Sequence, residues 1–193
     1  MLLWFANRGT GVVLVALLTL SMALGIVSTV RAGSARWPRF ATQALHRNVS
    51  LLASAMLIVH FGTAVLDQNA YSDLTWLDVV APFWGKYAAA HRTALLLGSV
   101  AFNLMVAVVI TSLVRARLSH RIWRGIHLLT YLSWAAGVLH GVLIGTDAGT
   151  VWDVAVTVVS VGVVAASVVV RIATWVHERR LHAEAVAVLD GAP

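Results

Sequence analysis

Residues 46–67 read HRNVSLLASAMLIVHFGTAVLD. Between its polar ends the stretch is apolar and of spanning length: about 20 residues, at 1.5 Å of rise each, cross roughly 30 Å of hydrocarbon. It nevertheless carries a histidine toward each end, His46 and His60. Ionisable side chains are costly inside a bilayer, so each one needs a reason to be there. Residues 127–147, HLLTYLSWAAGVLHGVLIGTD, repeat the plan with His127 and His140. Each stretch follows an arginine (Arg39, Arg124), opens on histidine, and reaches an aspartate seven residues after its second histidine (Asp67, Asp147).

The rest of the chain supports a membrane reading. Of 193 residues, 60% are hydrophobic and 11% charged, and the mean hydropathy of +0.84 excludes an ordinary soluble domain. Five apolar runs have spanning length, at 11–30, 46–66, 93–114, 125–145 and 152–175. They predict a single all-α domain over 1–193, a bundle of about five transmembrane helices. Residues 176–193 form a short tail of weak amphipathic character (EAVAVL), expected to be a cytoplasmic helix end. The first run is too long for a signal-peptide core, its arginines follow it, and no convincing small-residue cleavage site appears, so it reads as retained.

Charge sets the direction. Thirteen of the fourteen basic residues are arginine. Arg31, Arg36, Arg39 and Arg47 lie after the first span, Arg115, Arg117, Arg121 and Arg124 after the third, and Arg171, Arg179 and Arg180 at the end of the fifth. The opposite side holds Arg8, Lys86 and Arg92 beside Asp67, Asp73, Asp78, Asp147 and Asp153. The positive-inside rule predicts an outer N-terminus and a cytoplasmic C-terminus, and the chain is expected to be a multi-pass protein of a bacterial plasma membrane. The net charge of +6 follows from this topology and calls for a lipid bilayer as partner, not nucleic acid.

The second and fourth spans then run in the same direction, with His46 at the depth of His127 and His60 at that of His140. Fourteen residues rise about 21 Å and thirteen about 19.5 Å. Fourteen also turn a helix nearly a whole number of times, so His46 and His60 share a face. With no cysteine in the chain, thiolate ligation and iron–sulfur clusters are excluded, and histidine is the strong ligand available. Two histidines at one depth on facing helices can hold an iron from both sides, and a haem is wide enough to be clamped there. The set defines two stacked sites about 20 Å apart. An ideal helix would leave His127 and His140 about 140° apart, so the second pair requires local distortion, for which Gly137 and Gly141 are the candidates. A membrane histidine taken alone is more often an interhelical hydrogen-bonding group than a ligand; the matched pairs favour ligation.

The two spacings, H-x13-H and H-x12-H, resemble the ferric-reductase-like transmembrane domain, the haem-bearing membrane part of NADPH oxidases, ferric reductases and the bacterial methionine sulfoxide reductase system. The resemblance covers roughly residues 40–175. It implies two haem b groups, the inner held by His46 and His127 and the outer by His60 and His140, and hence an oxidoreductase-type membrane subunit for electron transport. The donor would be a separate flavoprotein reductase or membrane quinol. The acceptor would be ferric iron, oxygen or a partner redox protein at the outer face. Two departures stand out: five spans instead of the usual six, and no glycine-rich dinucleotide fingerprint, so no flavin or NADPH site is expected in this chain.

Other polar residues leave alternatives open. His91 and Arg92 open the third span at the outer face, either beside the outer haem or as interfacial anchors. Arg47 and Arg124 either pair with the propionates of the inner haem or are ordinary arginines of a cytoplasmic helix end. Asn103 is expected to hydrogen-bond another helix. The outer segment LTWLDVVAPFWGKY (74–87) is an aromatic interfacial belt or a lid over the outer site. A histidine-relay transporter or proton channel without haem is the competing function.

Overall fold

The computed structural model describes residues 1–29, 38–67, 74–83, 87, 91–145, 147 and 149–190, and among these it is all-helical. Helix α1 spans Leu2–Thr29, α2 Arg39–Leu66, α3 Trp76–Val80, α4 Arg92–Leu113, α5 His120–His127, α6 Leu129–Ile144 and α7 Val151–Asp190. A short 3-10 turn, Arg115–Arg117, joins α4 to α5. Five of the helical stretches, with α5 and α6 counted as one, are long and apolar enough to cross a membrane. The protein is a multi-pass integral membrane protein.

In hydrocarbon every backbone and hydroxyl group has to be satisfied inside the protein. The spans meet this demand with hydroxyls that bond back to the preceding turn. Ser54 donates to the Ser50 carbonyl (2.8 Å), Thr111 to that of Ala107 (2.7 Å) and Ser167 to that of Val163 (2.8 Å).

Several elements depart from their expected bounds; α2, for one, begins at Arg39 rather than residue 46. Helix α1 begins at Leu2 rather than residue 11, which brings Asn7 and Arg8 into the helix and, through it, into the bundle. Helix α7 runs on from the span into the tail as far as Asp190, as a helix end should; the alanine-, arginine- and glutamate-rich tail has helix-favouring side chains and no proline before Pro193. The fourth span is two helices broken at Leu128. There the Tyr131 amide donates to the Leu128 carbonyl three residues back (3.2 Å). The distortion demanded by the thirteen-residue histidine spacing thus sits beside His127, and Gly137 and Gly141 lie within continuous helix.

Packing makes α1 the hub. It packs on α2, α6 and α7, while α4 packs on α6, α3 and α5. Its contacts with α7 include a small core of Met22, Ile26 and Val164, backed by Trp134 and Val168. Trp134 also donates to the Thr19 hydroxyl (3.0 Å), and Ser133 to the Ala101 carbonyl (2.9 Å). Helix α2, which carries His46 and His60, has almost no close backbone contact with α5, which carries His127, or α6, which carries His140. It stands across a slot from them.

Helix α3 closes one end of the slot. Thr75 and Asp78 form a capping box at its start. Asn103 of α4 donates to the Val79 carbonyl (2.7 Å), the interhelical bond expected of it. The Trp76 ring meets Phe61 edge-on, with centres 4.7 Å apart. Trp76 and Phe83 remain largely exposed, which suits an interfacial belt. Arg31, Arg36, Asp73, Trp84 and Lys86 lie outside the described residues.

Candidate paired-histidine sites

The fold brings the four histidines together in two pairs. The rings of His46 and His127 have centres 6.4 Å apart with their planes at 80°. Those of His60 and His140 are 6.3 Å apart at 78°. A metal bonded at about 2 Å to one nitrogen of each of two opposed imidazoles sets the ring centres roughly 6 to 6.5 Å apart. Both pairs therefore have the spacing of two axial ligands, at two levels about 20 Å apart along the helices.

Three of the rings are fixed from behind. Nδ1 of His46 donates to the Ser21 carbonyl (2.8 Å), Nδ1 of His60 to the Asn7 carbonyl (3.0 Å) and Nδ1 of His140 to the Ala94 carbonyl (2.7 Å). Donation from Nδ1 sets the tautomer, leaves Nε2 with its lone pair for a ligand bond, and increases its basicity. Each acceptor is on the helix behind the ring, α1 for the first two and α4 for the third.

Glycine makes room for each of these rings. A methyl group placed on Gly25 would lie 3.1 Å from Cε1 of His46, one on Gly11 3.1 Å from Cε1 of His60, and one on Gly98 2.7 Å from both Cε1 and Nδ1 of His140. The three glycines occupy the helices that supply the acceptors, so each histidine rests in a notch in its neighbour. Asn7 strengthens one notch by donating to the His60 carbonyl (2.8 Å) and the Thr63 hydroxyl (3.2 Å).

His127 is held otherwise. Its ring stacks on Trp123, one turn earlier, with centres 4.9 Å apart and planes at 23°. The Arg115 guanidinium lies 4.2 Å from the centre of the Trp123 ring. Nδ1 of His127 and Nε1 of Trp123 are buried without hydrogen-bond partners.

A cavity occupies the slot at the level of the His60–His140 pair. Its walls include Asn7, Arg8 and Gly11 of α1, His60 of α2, and Gly137 and His140 of α6. Arg8 lies over the Trp4 ring and forms an ion pair with Asp147 in the turn before α7. The slot, the ring spacings and the Nδ1 protons donated by three of the four histidines would suit a flat metal macrocycle held between imidazoles, which would supply one-electron chemistry.

The remaining expected residues lie apart. His91 and Arg92 are exposed at the start of α4 and do not line this cavity; Arg47 and Arg124 are exposed as well. Arg8, in the cavity wall, and Arg115, over the Trp123 ring, are cations beside the pairs that sequence reasoning passed over, together with Asn7, Trp123 and the three glycines. The i,i+4 spacing of Trp123 and His127 was a legible sign of stacking on one helix face. The glycines become readable only once the helix opposite each is known.

Comparison with known protein families gives a match over most of the chain. Residues 10–138 match the family model described as ferric reductase like transmembrane component. The match begins earlier than the resemblance read from the histidines, takes in His46, His60 and His127, and stops two residues before His140. No curated protein and no solved structure matches.

Proposed function

The chain belongs to the ferric reductase-like transmembrane component family, and we propose that it is a di-haem b conduit that carries single electrons from the cytoplasmic side of the membrane to its outer face. The family implies transmembrane electron transfer and redox partners. The observation that supports the two-haem reading is the pairing itself: two sets of opposed imidazoles, 6.4 and 6.3 Å between ring centres, on helices that the packing holds apart.

In this reading His46 and His127 hold the inner haem, and His60 and His140 the outer. Bound haem supplies the one-electron iron couple. The chain supplies the rest. The carbonyls of Ser21, Asn7 and Ala94 fix three ligand tautomers, and their pull on Nδ1 favours ferric iron by making the imidazoles better donors. The apolar faces of α1, α2, α4 and α6 keep water from the path between the sites. Arg8, in the wall of the outer cavity, is the cation placed to meet a haem carboxylate there. The electron donor is a flavoprotein reductase or a membrane quinol. The acceptor is ferric iron, oxygen or a redox protein at the outer face.

The test is an absorbance spectrum of detergent-purified protein, oxidised and dithionite-reduced, with a pyridine haemochrome count. Two b-type haems per chain are expected. H60A and H140A should each lose one of them, and H46A the other. Absence of haem after expression with ample haem supply would overturn the reading and favour a histidine relay, whose signature is ion-dependent flux in liposomes.

A further inference from the structure

The four histidine rings are not restrained alike, and the exception has chemical consequences. His46, His60 and His140 each combine a hydrogen bond from Nδ1 to a main-chain carbonyl with a glycine notch in the neighbouring helix. His127 has neither. Its Nδ1 is buried without a partner, and no described glycine approaches its ring. It is the last residue of α5, next to the break at Leu128. What orients it is the stack on Trp123, which in turn carries the Arg115 guanidinium.

An imidazole with an unbonded Nδ1–H is the weaker donor through Nε2. It also gains by swinging away, because an unsatisfied buried donor is costly and any new partner relieves that cost. The helix break beside it lowers the resistance of the backbone to such a swing. The stack opposes the motion, through one aromatic face and a cation on that aromatic ring.

We propose that His127 is the labile ligand of the inner site, that Trp123 is the residue positioning it, and that the inner iron opens on the His127 side to a small diatomic ligand. The inference rests on the di-haem reading. It makes the two sites unequal: the outer one closed on both sides, the inner one able to exchange one ligand from the cytoplasmic end.

Carbon monoxide added to the dithionite-reduced, haem-loaded protein is the probe, read by the Soret shift and by stopped flow. One of the two haems per chain is expected to combine with it, and H60A, which lacks the outer haem, should keep that response. An aromatic stack of this kind shifts an equilibrium by roughly fivefold. W123A should therefore raise the combination rate about fivefold, W123F should return it to within about twofold of wild type, and R115Q, at an exposed position, should raise it in the same direction by less. H127A should retain the inner haem as a high-spin, carbon-monoxide-reactive species, whereas H46A should lose it; this comparison decides the matter if W123A fails to fold. Two low-spin haems inert to carbon monoxide in wild type and R115Q would overturn this inference while leaving the conduit intact, and so would a response lost in H60A. Failure to bind haem would overturn both.

Discussion

Gly98→Ala is the most informative single change. The new methyl carbon would stand 2.7 Å from two atoms of the His140 ring and 3.1 Å from a third. Ordinary contact starts near 3.4 Å, so the ring has to retreat by about 0.7 Å. It has little freedom to do so, because Nδ1 is bonded to the Ala94 carbonyl at 2.7 Å, one turn before Gly98 on the same helix. Retreat from Gly98 strains or breaks that bond, which is worth about 1 kcal/mol. Overpacking adds about 1–3 kcal/mol, and the better helix propensity of alanine returns about 0.5–1 kcal/mol. The balance, about 1–3 kcal/mol against the present position of His140, corresponds to a loss of outer-haem affinity of roughly ten- to a hundredfold. The assay is the haemochrome count on purified G98A, expected to fall from two haems per chain toward one while the inner haem's spectrum stays unchanged. Gly137→Ala is the control: its nearest neighbour would be the Ala101 methyl at 4.0 Å, and two haems should remain. Gly11→Ala and Gly25→Ala, at 3.1 Å, should have smaller effects, on the outer and inner sites respectively. Two haems and an unaltered spectrum in G98A would refute the claim that this notch positions His140.

Two further outcomes follow from other contacts. Asp147→Asn removes the ion pair with Arg8, whose side chains are 21% and 37% exposed; a partly exposed pair contributes about 1 kcal/mol or less, so the unfolding midpoint should move by only a few degrees, and a collapse of the fold would show that the pair does more. Tyr87 hydrogen-bonds the Asp78 carbonyl (2.5 Å) and the Ser99 hydroxyl (3.0 Å), and burial raises its pKa above the ordinary tyrosine value. Its neutral form is therefore favoured by folding: the contribution is complete below about pH 10 and is lost as pH rises through the folded pKa. The tyrosinate absorbance missing from Y87F should titrate above pH 10, and a midpoint at or below that value would contradict the assignment.

Hydropathy made the five spans legible, and the helical period made the two histidine levels legible, because both depend on residues close in sequence. What the sequence hid depends on partners. The break at Leu128 has no proline to announce it, and the nearest glycine, Gly125, lies three residues earlier within α5, in the stretch GIHLLTY. The start of α1 was obscured because Asn7 and Arg8 look like loop residues until His60 and Asp147 are placed beside them. Gly11, Gly25 and Gly98 read as small residues in apolar runs, and their meaning lies in the register of the helix across from each. Arg47, Arg124, His91 and Arg92 were singled out for nearness in sequence to a histidine or to an outer helix end, yet all four side chains are exposed. Sequence proximity on a helix says little about direction, since one residue's step turns the side chain by about 100°.

The contact between α1 and α7 bears on how the molecule is made. The partners of Met22 and Ile26 include Val164, and the Thr29 carbonyl meets Arg171 near the far end of the same face. Helix α1 thus waits for a helix synthesised more than a hundred residues later. At about 5–20 residues per second that is a delay of many seconds. During this interval α1 and α2 can assemble as a hairpin, and α4 and α6 as another. The seam along α1 stays open to lipid until α7 arrives, so the haems proposed for the slot would have a natural window for loading before the last helix seals the bundle.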